Sequence, residues 1–229
     1  MFMSDTINCM VPARLGSQRV KNKNIKLLNG NPVINYVLNS ISKSKKIFDN
    51  IYLNSESKKL MKYADNYKFR FYLRNKKLST NSSTNDEFAY DFMKNITSDY
   101  LVQILPTSPF LSSKEISDFV NFLVVKKPDT LISVTNHQIA CVYKNKEINF
   151  KKDKKNPPSQ NMKPVQAYAT CLMAWKCSKF IRNYEKFGSA YHGPSGKTLY
   201  YELKGLSTLD IDTMDDFKLV ENIMKSNVN

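Results

Sequence analysis

The sequence predicts an α/β protein in which a mainly parallel sheet is covered by helices on both faces. Apolar runs of strand length alternate repeatedly with segments of helical period, and two of the runs end abruptly at prolines. Parallel strands need crossover connections, usually helices, which cover both faces of the sheet. At 229 residues the chain is long enough to bury a sizeable core, and we expect residues 1–229 to form a single domain.

The first half of the chain begins with a buried strand. The run from Thr6 to Val11 is apolar except for one Asn and stops at Pro12. Helical period follows from Pro32 to about Lys45, and proline suits a first helical turn. The next predicted elements are a strand at 50–55, a helix near 57–66, a strand at 69–73, a helix at about 88–95 and a strand at 100–105.

The second half contains two capping patterns. Ser112 with Glu115 predicts the start of one helix, and Thr213 with Asp216 predicts the start of the last one. Residues 136–165 are polar and irregular, so they predict an excursion from the sheet. The remaining predicted elements are strands at 130–135 and 165–175, a helix at 178–187 and strands at 198–203 and 206–212.

Composition excludes several classes of protein. The four cysteines form no C-x-x-C pair, and with two histidines they predict neither a zinc site nor a disulfide framework. The sequence also lacks the G-x-S-x-G motif that would indicate a serine hydrolase. No run is long enough to span a bilayer, and the start of the chain lacks the features of a secretion signal. We therefore expect a cytoplasmic protein without a membrane partner.

The net charge of +15 permits a basic nucleic-acid-binding protein. However, the lysines are spread along the whole chain, and no aromatic residue lies among the cations of the first loop. We therefore expect no nucleic-acid partner, although the alternative stays open.

A cationic loop, RLGSQRVKNKN, directly follows the first strand. Ligands in open α/β sheets collect beyond the carboxyl ends of the strands. Arg14, Arg19 and Lys23 could neutralise a triphosphate, Gly16 permits a tight turn, and Ser17 could cradle an anion. The loop is neither a P-loop nor a dinucleotide fingerprint. The alternative interpretation is a solvated basic loop.

Two aspartates follow the apolar end of the predicted strand at 206–212. Asp210 and Asp212 are two residues apart, so both carboxylates would lie on one side of that strand. Carboxylate and phosphate oxygens are natural ligands of Mg²⁺. The alternative is that Asp212 only helps to start the last helix. The motif PTSP at 106–109 is on its own typical of a rigid turn.

Three motifs together carry a family resemblance. VPARLGSQRVKNKNI, LPTSPF and LDIDTMDDF, in this order and spacing, resemble the acylneuraminate cytidylyltransferase family, the CMP-sialic acid synthetases and their relatives. The resemblance extends from about residue 7 to residue 221, and the related 3-deoxy-manno-octulosonate cytidylyltransferases share P-A-R-L-x-S-x-R. It implies a Rossmann-like nucleotidyltransferase fold. It also implies a reaction in which a sugar hydroxyl attacks the α-phosphate of CTP and pyrophosphate leaves.

The resemblance also implies roles for individual residues. The expected catalytic residues are Arg14, Lys23 and Asp212. The expected nucleotide-binding residues are Ala13 through its backbone, Arg14, Gly16, Ser17, Gln18, Arg19, Lys23, Asn24, Arg74, Ser82 and Ser83. The expected acceptor-binding residues are Gln103, Leu105 and Thr107. Asp210 and Asp212 would hold Mg²⁺, and one of them would accept the proton of the sugar hydroxyl.

The chain departs from the family pattern mainly at the acceptor end. Leu105 stands where the family has Gln, and Gln103 is expected to point to the same side. Leu111 replaces a frequent Arg, and the usual Asn-Gly is missing from YATCLMAW. A milder change is Gln18 in place of a common Lys, with Arg19 beside it. The phosphate and metal ends match the family better than the acceptor end does.

From these residues we expect a Mg²⁺-dependent cytidylyltransferase that transfers CMP from CTP to an acidic α-keto sugar of the nonulosonate or sialic acid type. A relative that uses a sugar phosphate, a phosphonate or another nucleoside triphosphate stays open. The resemblance also implies a homodimer in which residues of about 136–185 reach the partner subunit.

Overall fold

The computed structural model describes residues 5–226, and its main element is a seven-stranded sheet. In chain order its strands are β1 Ile7–Pro12, β2 Asn50–Ser55, β3 Arg70–Leu73, β4 Tyr100–Ile104, β5 Thr130–His137, β6 Val165–Lys176 and β7 Thr198–Glu202. The α-helices are α1 Val33–Lys43, α2 Met61–Tyr67, α3 Asn85–Asn95, α4 Ser113–Lys126, α5 Cys177–Phe187 and α6 Met214–Ser226.

The strand order of the sheet is β7-β5-β6-β4-β1-β2-β3. Strands β1 and β2, β1 and β4, β2 and β3, and β5 and β7 pair in parallel, whereas β6 is antiparallel to both of its neighbours. The carboxyl ends of all strands except β6 therefore meet at one edge of the sheet. This confirms the predicted mainly parallel sheet.

Helices cover both faces of the sheet, as predicted. Helices α1, α2 and α4 pack on one face, where Val37 and Phe119 are fully buried. Helices α3 and α5 pack on the other face through Phe92 and Phe180, and each such burial contributes about 1.5–3 kcal/mol. Helix α6 packs through Phe217 against the start of α1. Within residues 5–226, no helix is both long enough and apolar enough to cross a membrane.

Both predicted capping boxes are present. The backbone N–H of Glu115 donates to Ser112 Oγ at 3.2 Å, and Glu115 Oε2 accepts from the backbone N–H of Ser112 at 2.9 Å. Thr213 and Asp216 make the same pair of bonds at the start of α6, at 3.2 and 2.7 Å. Such boxes satisfy N–H groups that have no partner inside the helix, which explains why these two helix starts were predictable.

The predicted strand at 206–212 is wrong. Residues Gly205–Thr208 form a 3₁₀ turn, and the following residues do not pair with the sheet. The apolar Leu209 and Ile211 instead pack with α6 and the start of α1, which satisfies their pattern without a strand. The backbone N–H of Ile211 donates to the carbonyl of Thr107 at 3.0 Å and ties this segment to the end of β4.

The polar segment after β5 lies outside the sheet. It contains a small hairpin, in which Val142–Tyr143 pairs with Lys146–Glu147, and a 3₁₀ turn at Ser159–Asn161. The rest of the region proposed to reach a partner subunit is different. Strand β6 is central in the sheet, and most of its second half is buried.

Candidate active site

A cleft of about 610 Å³ opens where β1 and β4 end and α3 begins. This is the edge at which ligands bind in α/β sheets. Twelve of the residues singled out from the sequence line it together: Arg14, Ser17, Gln18, Arg19, Lys23, Asn24, Arg74, Ser83, Leu105, Thr107, Asp210 and Asp212. The structure thus brings together parts of the chain that are nearly 200 residues apart.

Four of the predicted residues do not line the cleft, namely Ala13, Gly16, Ser82 and Gln103. The side chain of Ala13 is buried, and its backbone N–H donates to the carbonyl of Asn54 at 2.9 Å, extending the pairing of β1 with β2. The hydroxyl of Ser82 lies 3.0 Å from that of Thr80, within its own loop. The N–H of Ala13 is therefore already paired within the protein.

The predicted tight turn at Gly16 is present, since the backbone N–H of Ser17 donates to the carbonyl of Leu15 at 3.0 Å across this residue. The φ angle of Gly16 lies outside the left-handed region, and a Cβ added there would meet no atom within 4 Å. The left-handed residue of this loop is Asn22, with φ 54°, and asparagine tolerates that conformation better than most residues do. The backbone of the loop therefore does not require glycine at position 16.

Ser17 and Asn24 hold the shape of the cationic loop. Ser17 Oγ donates to the carbonyl of Val20 and accepts from the backbone N–H of Lys23, both at 2.7 Å. The buried Asn24 donates through Nδ2 to the carbonyl of Arg14 at 2.9 Å. Both hydrogen bonds of the Ser17 hydroxyl lie within its own loop, so Ser17 stabilises the shape of the loop. Its role in binding an anion stays a prediction.

Arg14 joins the cationic loop to the loop that precedes α3. Its Nη1 donates to the carbonyls of Thr80 at 2.8 Å and Ser79 at 3.2 Å, and to Oδ1 of Asn81 at 3.3 Å. All four residues line the cleft. Arg14 therefore places a positive charge between two walls of the cleft and holds those walls together.

The acidic end of the cleft lies against the same cationic loop. Asp212 Oδ1 accepts from Lys23 Nζ and from Arg19 Nη2, each at 3.0 Å, and Lys23 also donates to the carbonyl of Ile211. Although the predicted strand is absent, the buried Ile211 between the two aspartates leaves both carboxylates lining the cleft. Cations suited to phosphate and carboxylates suited to a metal are thus in direct contact.

Asp210 is the more buried of the two aspartates, and burial raises its pKa. A hydrogen bond with Thr107 and the charge of Lys23 oppose this shift, while the charge of Asp212 adds to it. The hydroxyl of Ser108 also donates to Asp210 Oδ1, at 3.4 Å. A carboxylate with a raised pKa is a better proton acceptor than an ordinary aspartate, because its conjugate acid is weaker.

Arg74 also lines the cleft. It is 4% exposed, and its guanidinium lies 4.7 Å from the ring centroid of Phe88. The pKa of Arg74 is lowered to about 10, mainly by burial; the charge of Glu56 opposes this shift and that of Arg14 adds to it. Arg74 therefore stays charged at neutral pH. Sequence reasoning missed Phe88 as a lining residue of the cleft and Glu56 as a partner of Arg74.

The residues predicted at the acceptor end lie around Leu105. Leu105 lines the cleft, and its backbone N–H donates to the carbonyl of Cys171 at 3.0 Å. Leu111 is 1% exposed and packs in the core, so its side chain has no surface to offer a ligand. Thr170, within the segment that lacks Asn-Gly, has φ 56°, which is strained for a β-branched residue.

Gln103 lies one layer behind the cleft. It is fully buried, and its Nε2 donates to Asn85 Oδ1 at 3.2 Å. Asn85 itself lines the cleft and was missed from the sequence. The missed signal was local: Thr84 and Glu87 form a capping box that starts α3 at Asn85, three residues before the predicted start. Gln103 can therefore affect a ligand only through Asn85.

Within residues 5–226, no three or more His, Cys, Asp and Glu side chains are grouped as a metal centre. Any metal bound by Asp210 and Asp212 would need its other ligands from a bound substrate and from water.

Comparison with known proteins shows the family of the chain. A family model described as cytidylyltransferase matches residues 8–166, more than half of the chain. The N-acylneuraminate cytidylyltransferase of Escherichia coli O18:K1:H7 is 27% identical over 97% of this chain and 53% of the relative. N-acylneuraminate cytidylyltransferase A of Danio rerio is 25% identical over 94% of this chain and 50% of the relative. The chain spans about half the length of the curated relatives that it matches.

Solved structures share the fold. CMP:2-keto-3-deoxy-manno-octonic acid synthetase, solved in complex with CTP, has a TM-score of 0.71 at 10% identity, covering 97% of this chain and 99% of that one. The 4-diphosphocytidyl-2C-methyl-D-erythritol synthase of Anaerococcus prevotii has a TM-score of 0.66 at 14% identity, with the same coverage. At such identities the likeness shows the fold alone, and it confirms the expected Rossmann-like nucleotidyltransferase architecture.

Proposed function

Since this chain belongs to the cytidylyltransferase family, we propose that it transfers CMP from CTP to an acidic α-keto sugar and releases pyrophosphate. The observation that carries the proposal is the cleft at the carboxyl edge of the sheet. There Arg14, Lys23 and Arg74 line one cleft with the two carboxylates of Asp210 and Asp212. A triphosphate needs the cations, and an attacking hydroxyl needs a proton acceptor.

The reaction requires position and charge neutralisation more than covalent help from the protein. Arg14 and Lys23 would hold the triphosphate, with Arg19 at the exposed rim. The acceptor hydroxyl forms a bond to the α-phosphorus, the bond from that phosphorus to the pyrophosphate oxygen breaks, and the hydroxyl proton passes to a carboxylate. Asp210 suits that last step, because burial raises its pKa and it lies beside the phosphate-binding cations.

The residues of the cleft fit a Mg²⁺ ion shared with the substrate. Asp210 and Asp212 offer hard oxygen ligands, and the triphosphate would offer more, which is the usual way in which proteins bind Mg²⁺. When bound, the ion supplies neutralisation of the charge on the phosphates. An ion bound by Asp212 would compete with Lys23 and Arg19, the two cations that pair with this carboxylate.

Removing one of these two cations should make Asp212 more available to a metal. We expect Arg19→Gln to bind Mn²⁺ about fivefold more tightly than the unmodified protein when no nucleotide is present, as expected for loss of one competing, partly exposed ion pair. Electron paramagnetic resonance of free Mn²⁺ measures this affinity directly. Arg182→Gln, on the exposed surface of α5, is the matched control. Equal affinity in both variants would contradict the metal assignment of Asp212.

The residues near the predicted acceptor position also support a second candidate function. Leu105 offers no polar group at the acceptor end, and Leu111 is buried in the core. Because of these two leucines, we retain a second candidate function that uses the same nucleotidyl-transfer chemistry. In that case the acceptor is a sugar phosphate or a phosphonate, or the donor is another nucleoside triphosphate.

Pyrophosphate release with Mg²⁺ tests the proposed function. Each of the four nucleoside triphosphates is combined with sugar acids, sugar phosphates and phosphonates. We expect release with CTP and an α-keto sugar acid. Release only with a different acceptor would support nucleotidyl transfer but contradict the proposed α-keto sugar acceptor. No release with any pair, together with salt-sensitive binding of DNA or RNA, would favour the basic nucleic-acid-binding alternative.

We also propose that the protein forms a homodimer through the excursion after β5. Ile139, Val142, Tyr143 and Ile148 are each more than half exposed there, and a partner subunit could cover them. The cytoplasmic location stays a prediction.

A further inference from the structure

We propose that Glu56 is a positioning residue of the nucleotide site, because its carboxylate fixes both the cationic loop and Arg74. Glu56 directly follows β2 and does not line the main cleft. It lines a neighbouring depression of about 430 Å³. Arg74 lines both this depression and the main cleft. The inference rests on the proposed function, since the ligand to be positioned is CTP.

One oxygen of Glu56 holds the cationic loop. Glu56 Oε1 accepts a hydrogen bond from the backbone N–H of Leu15 at 3.0 Å. Leu15 directly follows Arg14, whose guanidinium reaches across to the loop before α3. The contact therefore fixes the backbone next to Arg14. Because the side chain extends from that backbone, the contact also sets the direction of the Arg14 side chain.

The other oxygen faces Arg74. Glu56 Oε2 lies 3.8 Å from Arg74 Nη2 and also accepts from the hydroxyl of Ser55 at 3.3 Å. The side chain of Glu56 is 16% exposed and that of Arg74 is 3% exposed, so water screens this pair less than a surface pair. The opposite charge of Glu56 is thus available to orient the guanidinium.

Arg74 retains hydrogen-bonding capacity for a ligand. Its Nε is buried and has no hydrogen-bond partner among the described residues, and its guanidinium rests on the ring of Phe88. A buried donor without a partner is unfavourable, and a ligand oxygen in the cleft could satisfy it. Glu56 approaches Arg74 through Nη2 and leaves Nε without a partner.

Two variants separate the two contacts. Glu56→Gln keeps an oxygen for the Leu15 N–H but removes the charge that faces Arg74, whereas Glu56→Ala removes both. Affinity for CTP is measured by isothermal titration calorimetry with Mg²⁺ and without an acceptor. We expect about fivefold weaker CTP binding for Glu56→Gln, as for loss of one partly buried ion pair. We expect about thirtyfold weaker binding for Glu56→Ala, which also releases the loop.

Glu185→Gln is the matched control, since it removes a glutamate that pairs with Lys94 on the surface and does not line the cleft. It should bind CTP as the unmodified protein does. The effect of Glu56→Gln should also disappear in an Arg74→Ala background, because the charge acts through Arg74. A merely structural role of Glu56 would not produce that coupling.

Unchanged CTP affinity in Glu56→Gln, or an equal loss with and without Arg74, would overturn the proposal while leaving the proposed function intact. If Glu56→Ala does not fold, Glu56→Gln and its coupling to Arg74 decide the matter. Failure of the unmodified protein to bind CTP would overturn the proposed function itself, and the positioning role with it.

Discussion

Replacing Asp212 with alanine should lower kcat for pyrophosphate release about a thousandfold, because the change removes several kcal/mol of charge stabilisation at the reacting phosphate. Asp212 shares the acidic end of the cleft with Asp210 and is held there by Lys23 and Arg19. Its side chain is 46% exposed and packs in no core cluster. The loss should therefore appear in kcat with little change in the thermal unfolding midpoint.

A neighbouring aspartate provides the control for this prediction. Asp215 lies three residues further on, its side chain is 95% exposed, and its nearest cation is Lys218 at 3.8 Å. Asp215→Ala removes the same charge near the same helix start and should retain turnover within about twofold, as surface changes usually do. If Asp212→Ala turned over at the rate of Asp215→Ala, neither a metal-binding nor a proton-accepting role for Asp212 could be retained.

Local sequence signals predicted those parts of the fold that local physics determines. The capping boxes at Ser112 and Thr213 define two helix starts, because the partners that form each box lie three residues apart. The cationic loop was placed correctly in the cleft because ligands collect at the carboxyl ends of parallel strands. A capping box can be recognised from neighbouring residues alone, and the position of the loop can be predicted from the order of strands and helices along the chain.

The errors arose where distant packing decides the outcome. Apolar alternation at Leu209 and Ile211 resembles a strand, but α6 and the start of α1 bury these side chains instead. Gln103 was expected to point to the same side as Leu105, yet it is fully buried and donates to Asn85 at the start of α3. Glu56 contacts Leu15 across 41 residues of chain, and no short pattern in the sequence indicates such a contact.

Replacing Lys23 with methionine should lower kcat/KM for CTP by about a hundredfold to a thousandfold, the usual cost of losing one donor to developing charge. Lys23 Nζ lies 3.0 Å from Asp212 Oδ1 and also contacts the carbonyl of Ile211, and only 14% of the side chain is exposed. Methionine keeps a similar length and an unbranched shape, so the variant mainly removes the charge and its hydrogen bonds.

The same substitution should change the pH dependence of the rate. Burial raises the pKa of Asp210, and the charge of Lys23 opposes this shift, so loss of Lys23 should raise the pKa further. Asp210 must be ionised to accept a proton, so activity falls as the pH drops through its pKa. The acid limb of the kcat/KM profile should therefore move to higher pH in Lys23→Met. Lys21→Met is the control, since Lys21 is exposed and lies outside the cleft lining. An unshifted acid limb would mean that another group limits the rate at low pH, and the proton would then have to be assigned to a different acceptor.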